Sequence, residues 1–346
     1  MQPTPRIRLL ARLAARGRTV APGLLICLAI AAVATMIGRV VPLVGSVIPA
    51  MAIGIVVALI HKPSARVKPG VAYAGTFVLQ LAVVLLGAQL TLSVIVVVGV
   101  QSLPVMLCSL IICLLAAQLI GRALRIDRDM RTLIGVGTGI CGASAIAAVS
   151  PIVKPKHSDI AYAISTVFLF NIVAVVVFPV IGHALGMTPH AFGLFAGTAV
   201  NDASSVVAAA AGFSSAALGF AVVVKLVRTL MIIPISVTLA VSEARRSGDR
   251  GTLNGRRLFA MIPWFLFGFL IVAAIASTGL VPGRVIASAT HVSVFLVATA
   301  LAGIGMSTDI AAIRTAGTRP LLLGGILSVT VALTTLATML LTGRIG

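Results

Sequence analysis

The chain has 346 residues, 60% of them apolar and 10% charged, with a formal net charge of +19 and a mean hydropathy of +1.18. That balance excludes a soluble globular domain, and charge-free runs longer than the ~20 residues a helix needs to cross a bilayer define a polytopic, all-α membrane protein. The runs are continuously apolar, not alternating, which excludes a β-barrel.

Such a charge would suggest nucleic acid in a soluble protein, but here the basic residues gather in short segments between apolar runs. They read as topology determinants facing anionic lipids, and no nucleic-acid partner is expected. Residues 1–18 form a basic cytoplasmic N-terminal segment carrying Arg6, Arg8, Arg12, Arg16 and Arg18, and 19–346 a single transmembrane domain. The first apolar run is too long for a signal peptide and lacks a convincing cleavage site, so it is read as an uncleaved span.

In chain order, spans are predicted near 19–38, 42–60, 70–90, 99–121, 132–153, 160–182, 191–211, 216–241, 259–280, 287–306 and 320–342, about eleven in all. With the N-terminus inside, the clusters Lys62/Arg66/Lys68, Arg122/Arg125/Arg128/Arg131, Arg245/Arg246/Arg250/Arg256/Arg257 and Arg314/Arg319 all fall on the cytoplasmic side. Lys154, Lys156 and His157 are the exception: the count places them outside unless one of the neighbouring segments is re-entrant. Residues 86–93 (LGAQLTLS) and 302–309 (AGIGMSTD) echo each other and run in opposite directions, as in an inverted-topology repeat.

Two segments share the pattern G-T-x-x-x-x-A-S: Gly137 to Ser144 and Gly197 to Ser204. Irregular backbone at membrane depth is tolerated where it lines a cavity, and paired interrupted spans mark transporter binding sites. Two broken helices are therefore expected here. The span count leaves the two segments parallel, in conflict with an inverted repeat. Gly137, Gly139, Gly142 and Gly197 would let the helices break, and the half-helix N-termini would attract an oxyanion. Thr138, Ser144, Thr198, Ser204 and Ser205 add hydroxyls. The bland alternative is close packing through small residues.

Asp202, Lys225 and Arg228 fall within spans, where each charge costs roughly 2.5–3.5 kcal/mol and needs a partner or a wet cavity. Lys225 and Arg228 share one helix face. They are read as a cationic anchor for an anionic substrate, partly balanced by Asp202, or as half of a structural bridge to it. Asp202, with Asn201, is also placed to carry a proton or ligate sodium. Asn171, mid-span, is expected to serve an interhelical hydrogen bond.

The dinucleotide-like Gly137-x-Gly139-x-x-Gly142 lacks a preceding strand. Neither the five histidines nor the four cysteines show metal-ligand spacing, and no hydrolase constellation is present. No catalytic residues, metal or cofactor are expected.

The stretches LLGAQLTLS (85–93), GTGICGASAIAA (137–148), GTAVNDASSVVAA (197–209) and VKLVRTLMIIP (224–234) resemble the YeiH-type inner-membrane proteins, the UPF0324 or sulfate exporter family. The resemblance implies a bacterial inner-membrane protein of ten or eleven helices, distantly similar to the bile-acid symporters and sodium–proton antiporters. The expectation is a secondary transporter for a small anion such as sulfate or an organosulfonate, bound between the two broken helices, with Na+ or H+ as coupling ion. Sodium–proton antiport through Asp202, a channel and a non-transport membrane protein are the alternatives, and homo-oligomerisation is left open.

Overall fold

A computed structural model describes residues 5–40, 46–61, 63–247, 264–307 and 318–344. All regular structure among the described residues is helical. Among the described residues seven helices are long and apolar enough to cross a membrane, and four shorter apolar helices accompany them. Exposed Val96, Val100, Ile111, Leu115 and Leu119 line one long helix, an arrangement suited to lipid and not to water.

The chain divides into two compact units, each discontinuous in sequence. The first holds residues 1–88 and 281–309. It contains α1 (Pro5–Val40), α2 (Val47–Ile60), α3 (Lys68–Tyr73), a π-helical turn (Ala74–Val78), α4 (Leu79–Leu86) and a long helix, Gly283–Ser307. The basic N-terminal segment runs into α1 from Pro5 onward. Here backbones pack on backbones: a Cβ on Gly54 would stand 2.5 Å from the Ala302 carbonyl oxygen, and one on Gly305 2.5 Å from that of Met51. The expected echo of 86–93 in 302–309 is not matched in local structure. Gly87–Gln89 form a 3₁₀ turn whereas Gly303 lies inside a continuous helix, and Thr308 and Asp309 lie outside the described residues.

The second unit, residues 89–280 and 310–346, contains both motifs. Its helices are α5 (Leu92–Ala123), α6 (Arg128–Gly139), α7 (Ala143–Val153), α8 (His157–Ala184), α9 (Pro189–Ala199), α10 (Ala203–Phe213), α11 (Ser215–Leu230), α12 (Ile232–Ser247), α13 (Trp264–Ser277) and, after α14 (the Gly283–Ser307 helix of the first unit), α15 (Thr318–Leu341).

Both motifs break as expected, and at equivalent places. Helix α6 ends at the third motif residue and α7 begins at the seventh, and α9 and α10 repeat this. The course of the chain beyond each break differs from expectation. Neither segment crosses the unit; each turns back on itself.

For α9–α10 the evidence is direct. Phe192 and Phe213, near its two ends, stack with ring centroids 4.0 Å apart. In a straight span they would lie roughly 30 Å apart. Phe213 also stacks on His183 at the end of α8. Helix α9 consequently runs parallel to α11, with Gly193 against Phe220 and Gly197 against Val224.

In α6–α7 the second arm likewise folds back on the first. A Cβ on Gly137 would lie 2.9 Å from Ile146 Cδ1 and 3.1 Å from Val167 Cγ2, so the second arm packs on the first where the first meets α8. Three residues, 154–156, join α7 to the start of α8. Nine residues of straight helix would separate Gly137 from Ile146 by roughly 13 Å along the axis, well beyond the reach of an isoleucine side chain. The segment is a hairpin.

This removes two difficulties. The hairpins enter from opposite ends of α8, so they are antiparallel, as an inverted repeat requires. Lys154 and Lys156 return to the end of the unit that carries Arg122, Arg125, Arg128 and Arg131. Arg128 there meets Glu243, at the end of α12, at 3.5 Å. Of the eleven apolar segments expected as spans, two are re-entrant. Arg250, Arg256, Arg257 and Arg314 lie outside the described residues.

Candidate functional site

The hairpin tips meet inside the second unit. The first tip is Ile140–Gly142, closed by the Gly142 N–H donating to the Gly137 carbonyl at 2.9 Å. Gly142 has φ +67 and ψ −133, a region open in practice to glycine alone. A Cβ there would lie 3.3 Å from that of Asp202. The second tip, Val200–Asp202, is extended backbone, and Asn171 Oδ1 on α8 accepts from the Asn201 N–H at 3.1 Å. Asn171 thus makes the interhelical bond expected of it.

A half-helix ending at mid-depth leaves carbonyls with no partner along the chain, and no water reaches them from lipid. Here α11 supplies the donors. Lys225 Nζ donates to the carbonyls of Ile140 (2.8 Å), Val200 (2.9 Å) and Asn201. Arg228 donates through Nε to Gly139 O (2.8 Å), through Nη2 to Thr138 O (3.2 Å) and through Nη1 to Thr198 O. Both residues are buried. Six carbonyls, three from each hairpin, are held by two cations one helical turn apart. Positive charge at two helix C-termini also opposes their macrodipoles favourably.

The expected balance between Asp202 and Arg228 is not made. The Asp202 carboxylate instead caps α10: Oδ2 accepts from the N–H groups of Ser204 (3.1 Å) and Ser205 (3.4 Å) and from the Ser204 hydroxyl. The physical reason is local. Asp202 is the N-cap, and its own helix offers donors closer than any guanidinium. No side chain caps the equivalent end of α7, where the N-cap is Gly142.

Three polar atoms at the tips are buried without a hydrogen-bond partner: Thr138 Oγ1, Thr198 Oγ1 and Asn201 Oδ1. Thr132, Thr229 and Thr335 return their hydroxyls to the carbonyl four residues back, at 2.7, 2.9 and 2.7 Å. The two motif threonines do not. Ser204 and Ser205 are buried, whereas Ser144 is exposed.

The structure brings Thr138, Gly139, Gly142, Thr198, Asn201, Asp202, Ser204 and Ser205 together, with Lys225 and Arg228 behind the tips and turned to main-chain oxygen, whereas Gly137 packs on Ile146 and Val167, Gly197 packs on Val224 and Ser144 is exposed. Among the described residues no cluster of His, Cys, Asp and Glu could hold a metal ion. The carbonyls of Ile140 and Val200, partners of Lys225, left no mark in the sequence, because an apolar side chain gives no sign of what its backbone accepts.

These features define a class: a multi-pass helical membrane protein built around two opposed re-entrant hairpins. The chain belongs to the UPF0324 family, whose model, described as conserved hypothetical protein 698, matches residues 22–324. It is 39% identical over 329 residues to the UPF0324 membrane protein of Streptococcus pyogenes serotype M6, covering 93% of this chain and 97% of that one. The Fusobacterium nucleatum UPF0324 membrane protein is 36% identical over 322 residues, covering 87% and 92%, and that of Clostridium tetani 35% over 336 residues, covering 93% and 97%. No solved structure matches the chain.

Proposed function

We propose that this protein is a secondary transporter for a small anion, of the size and charge of sulfate or an organosulfonate, and not an enzyme. The observation that carries the reading is the meeting of two antiparallel half-depth hairpins at buried Lys225 and Arg228. Irregular backbone at this depth is sustained where protein or a cavity surrounds it, and opposed broken helices form solute sites near the midplane. Lys225 and Arg228 outnumber Asp202, so the tips favour negative charge. The cations do so through the field behind the tips, since their nitrogens are turned to carbonyls.

The protein sits in the bacterial inner membrane, with its N-terminus and the arginine-rich end of the second unit in the cytoplasm. Anionic lipid headgroups meet that end. A coupling cation, Na+ or H+, would find oxygen at Thr138, Thr198, Asn201 and Asp202, which is what supports sodium–proton antiport as the second reading.

The test is transport by the purified protein in liposomes, using radiolabelled sulfate under imposed Na+ or pH gradients. Gradient-driven or counterflow accumulation of the label is expected. Proton-for-sodium exchange with no sulfate movement would replace this reading with the antiporter.

A further inference from the structure

Toward its C-terminal end, helix α5 carries an exposed apolar stripe that ends in charge. Ile111, Leu115 and Leu119 stand one above another at helical spacing and face outward. The row runs for about 12 Å. Arg122, exposed and three residues further on, closes it on the same face.

A second guanidinium is laid on this end of α5 by α6. The stem of Arg131 crosses Gly121: a Cβ on that glycine would stand 2.8 Å from Arg131 Cβ and 3.1 Å from its Cδ. Arg131 Nε then donates to Gln118 Oε1 at 3.0 Å, beside the stripe. Gln118 Nε2 in turn donates to the Thr132 hydroxyl at 3.3 Å, which is itself anchored on the Arg128 carbonyl at 2.7 Å. A neutral amide thus fixes the guanidinium and leaves its charge unspent.

Among the described residues no carboxylate forms an ion pair with Arg122 or Arg131, and Glu243 pairs with Arg128. Burial, then the positive fields of Arg122 and Arg128, lower the Arg131 guanidinium from its ordinary value, against the opposing pull of Asp127. Two cations are held side by side at the head of an apolar face, with negative charge in deficit.

We propose that Arg122 and Arg131 bind the phosphate of an anionic phospholipid, one of whose acyl chains lies along Ile111, Leu115 and Leu119. A guanidinium whose Nε is already engaged still offers its two terminal nitrogens to phosphate oxygens. The second arginine beside it favours a headgroup of net negative charge, such as phosphatidylglycerol, over a zwitterionic one, whose ammonium would add a third cation. A free phosphate ion would use the arginines alone; a lipid uses the stripe as well. The inference rests on the reading that this end of the unit meets the cytoplasmic leaflet, and it is independent of what the hairpins carry.

The bound lipid has a structural task. Arg131 stands in the first turn of α6, the entering arm of the first hairpin, whereas Arg122 belongs to a full span. A headgroup held by both ties the hairpin at its entry to that span.

Native mass spectrometry of the full-length protein in detergent, titrated with dioleoyl phosphatidylglycerol, tests this. The parent is expected to retain this lipid at concentrations where dioleoyl phosphatidylcholine leaves it bare. Arg122→Gln/Arg131→Gln should weaken retention roughly 25-fold, about fivefold for each arginine at a lipid surface. Because Arg131 also packs on Gly121, Arg122→Gln alone gives a second reading: about fivefold weaker retention with an unchanged unfolding temperature. Lys154→Gln/Lys156→Gln, which removes as much charge from the same end, should change retention less than about twofold. Equal losses in the two double variants would replace the site by diffuse attraction, and parent-like retention by Arg122→Gln/Arg131→Gln would overturn it outright. Glycerol 3-phosphate, which has the phosphate but no chains, should not displace the lipid; displacement at similar concentrations would overturn the lipid and leave a soluble phosphate in its place. Reporter fusions after Arg125 read the orientation separately, so the leaflet reading and the lipid site can fail apart.

Discussion

Thr138 and Thr198, the second residues of the two motifs, present their carbonyls to the same guanidinium, that of Arg228. Two segments sixty positions apart are thereby tied at one point, and Lys225 ties them again one turn earlier.

Removing either tie exposes buried carbonyls that nothing else reaches. Arg228→Ala and Lys225→Ala should each destabilise the protein by ~3–5 kcal/mol, the range for breaking a buried charged network. Arg228→Lys should recover part of that loss. Thermal unfolding in detergent measures this. Parent-like stability in both alanine variants would mean that the cations serve substrate and not the hairpins.

Re-entrance makes a topological prediction that differs from a count of apolar segments. Reporter fusions after Lys156 should register on the cytoplasmic side, together with fusions after Arg125. Fusions after Gly186 should register on the opposite side. A periplasmic signal after Lys156 would restore the straight span.

Proximity of hairpin ends can be tested by cross-linking. Phe192→Cys with Phe213→Cys, in a protein stripped of its four native cysteines, should be bridged by a short bifunctional thiol reagent. Neither single variant should give the product.

Two glycines separate backbone strain from crowding. Gly142 and Gly186 both have positive φ, but a Cβ on Gly186 meets nothing within 4 Å whereas one on Gly142 meets Asp202. Gly186→Ala should cost about 1–2 kcal/mol. Gly142→Ala should cost more and reduce transport, since the added carbon presses on the opposite tip. Equal losses would mean that the tips are not in working contact.

Asp202 divides the two functional readings. Asparagine is as good an N-cap as aspartate, so Asp202→Asn should keep stability within ~0.5 kcal/mol, whereas Asp202→Ala loses ~1 kcal/mol. If Asp202 serves as a cap, Asp202→Asn still moves sulfate. Loss of all cation-dependent transport in a stable Asp202→Asn protein would favour the antiporter.

Apolar runs in the sequence located the helices, and the repeated G-T-x-x-x-x-A-S pattern located both breaks. The direction of the chain after each break was not legible, because a hydropathy run has length but no heading. The misplaced Lys154 and Lys156 were the one sign of it, since basic residues at the wrong end mark a segment that has not crossed. The partners of Lys225 and Arg228 were hidden for another reason. A charge in a span announces that it needs compensation, and the one carboxylate inside a predicted span is Asp202. The fold satisfied the cations with main-chain oxygen, which every residue carries.

That choice of partner bears on how the protein can diversify. Because the two ties grip backbone oxygen at positions 138–140 and at 198, 200 and 201, the latch is indifferent to the side chains those positions display. Selectivity can be rewritten at the tips, one residue at a time, while the hairpins stay fastened. Lys225 and Arg228 are the two positions at which such drift is forbidden.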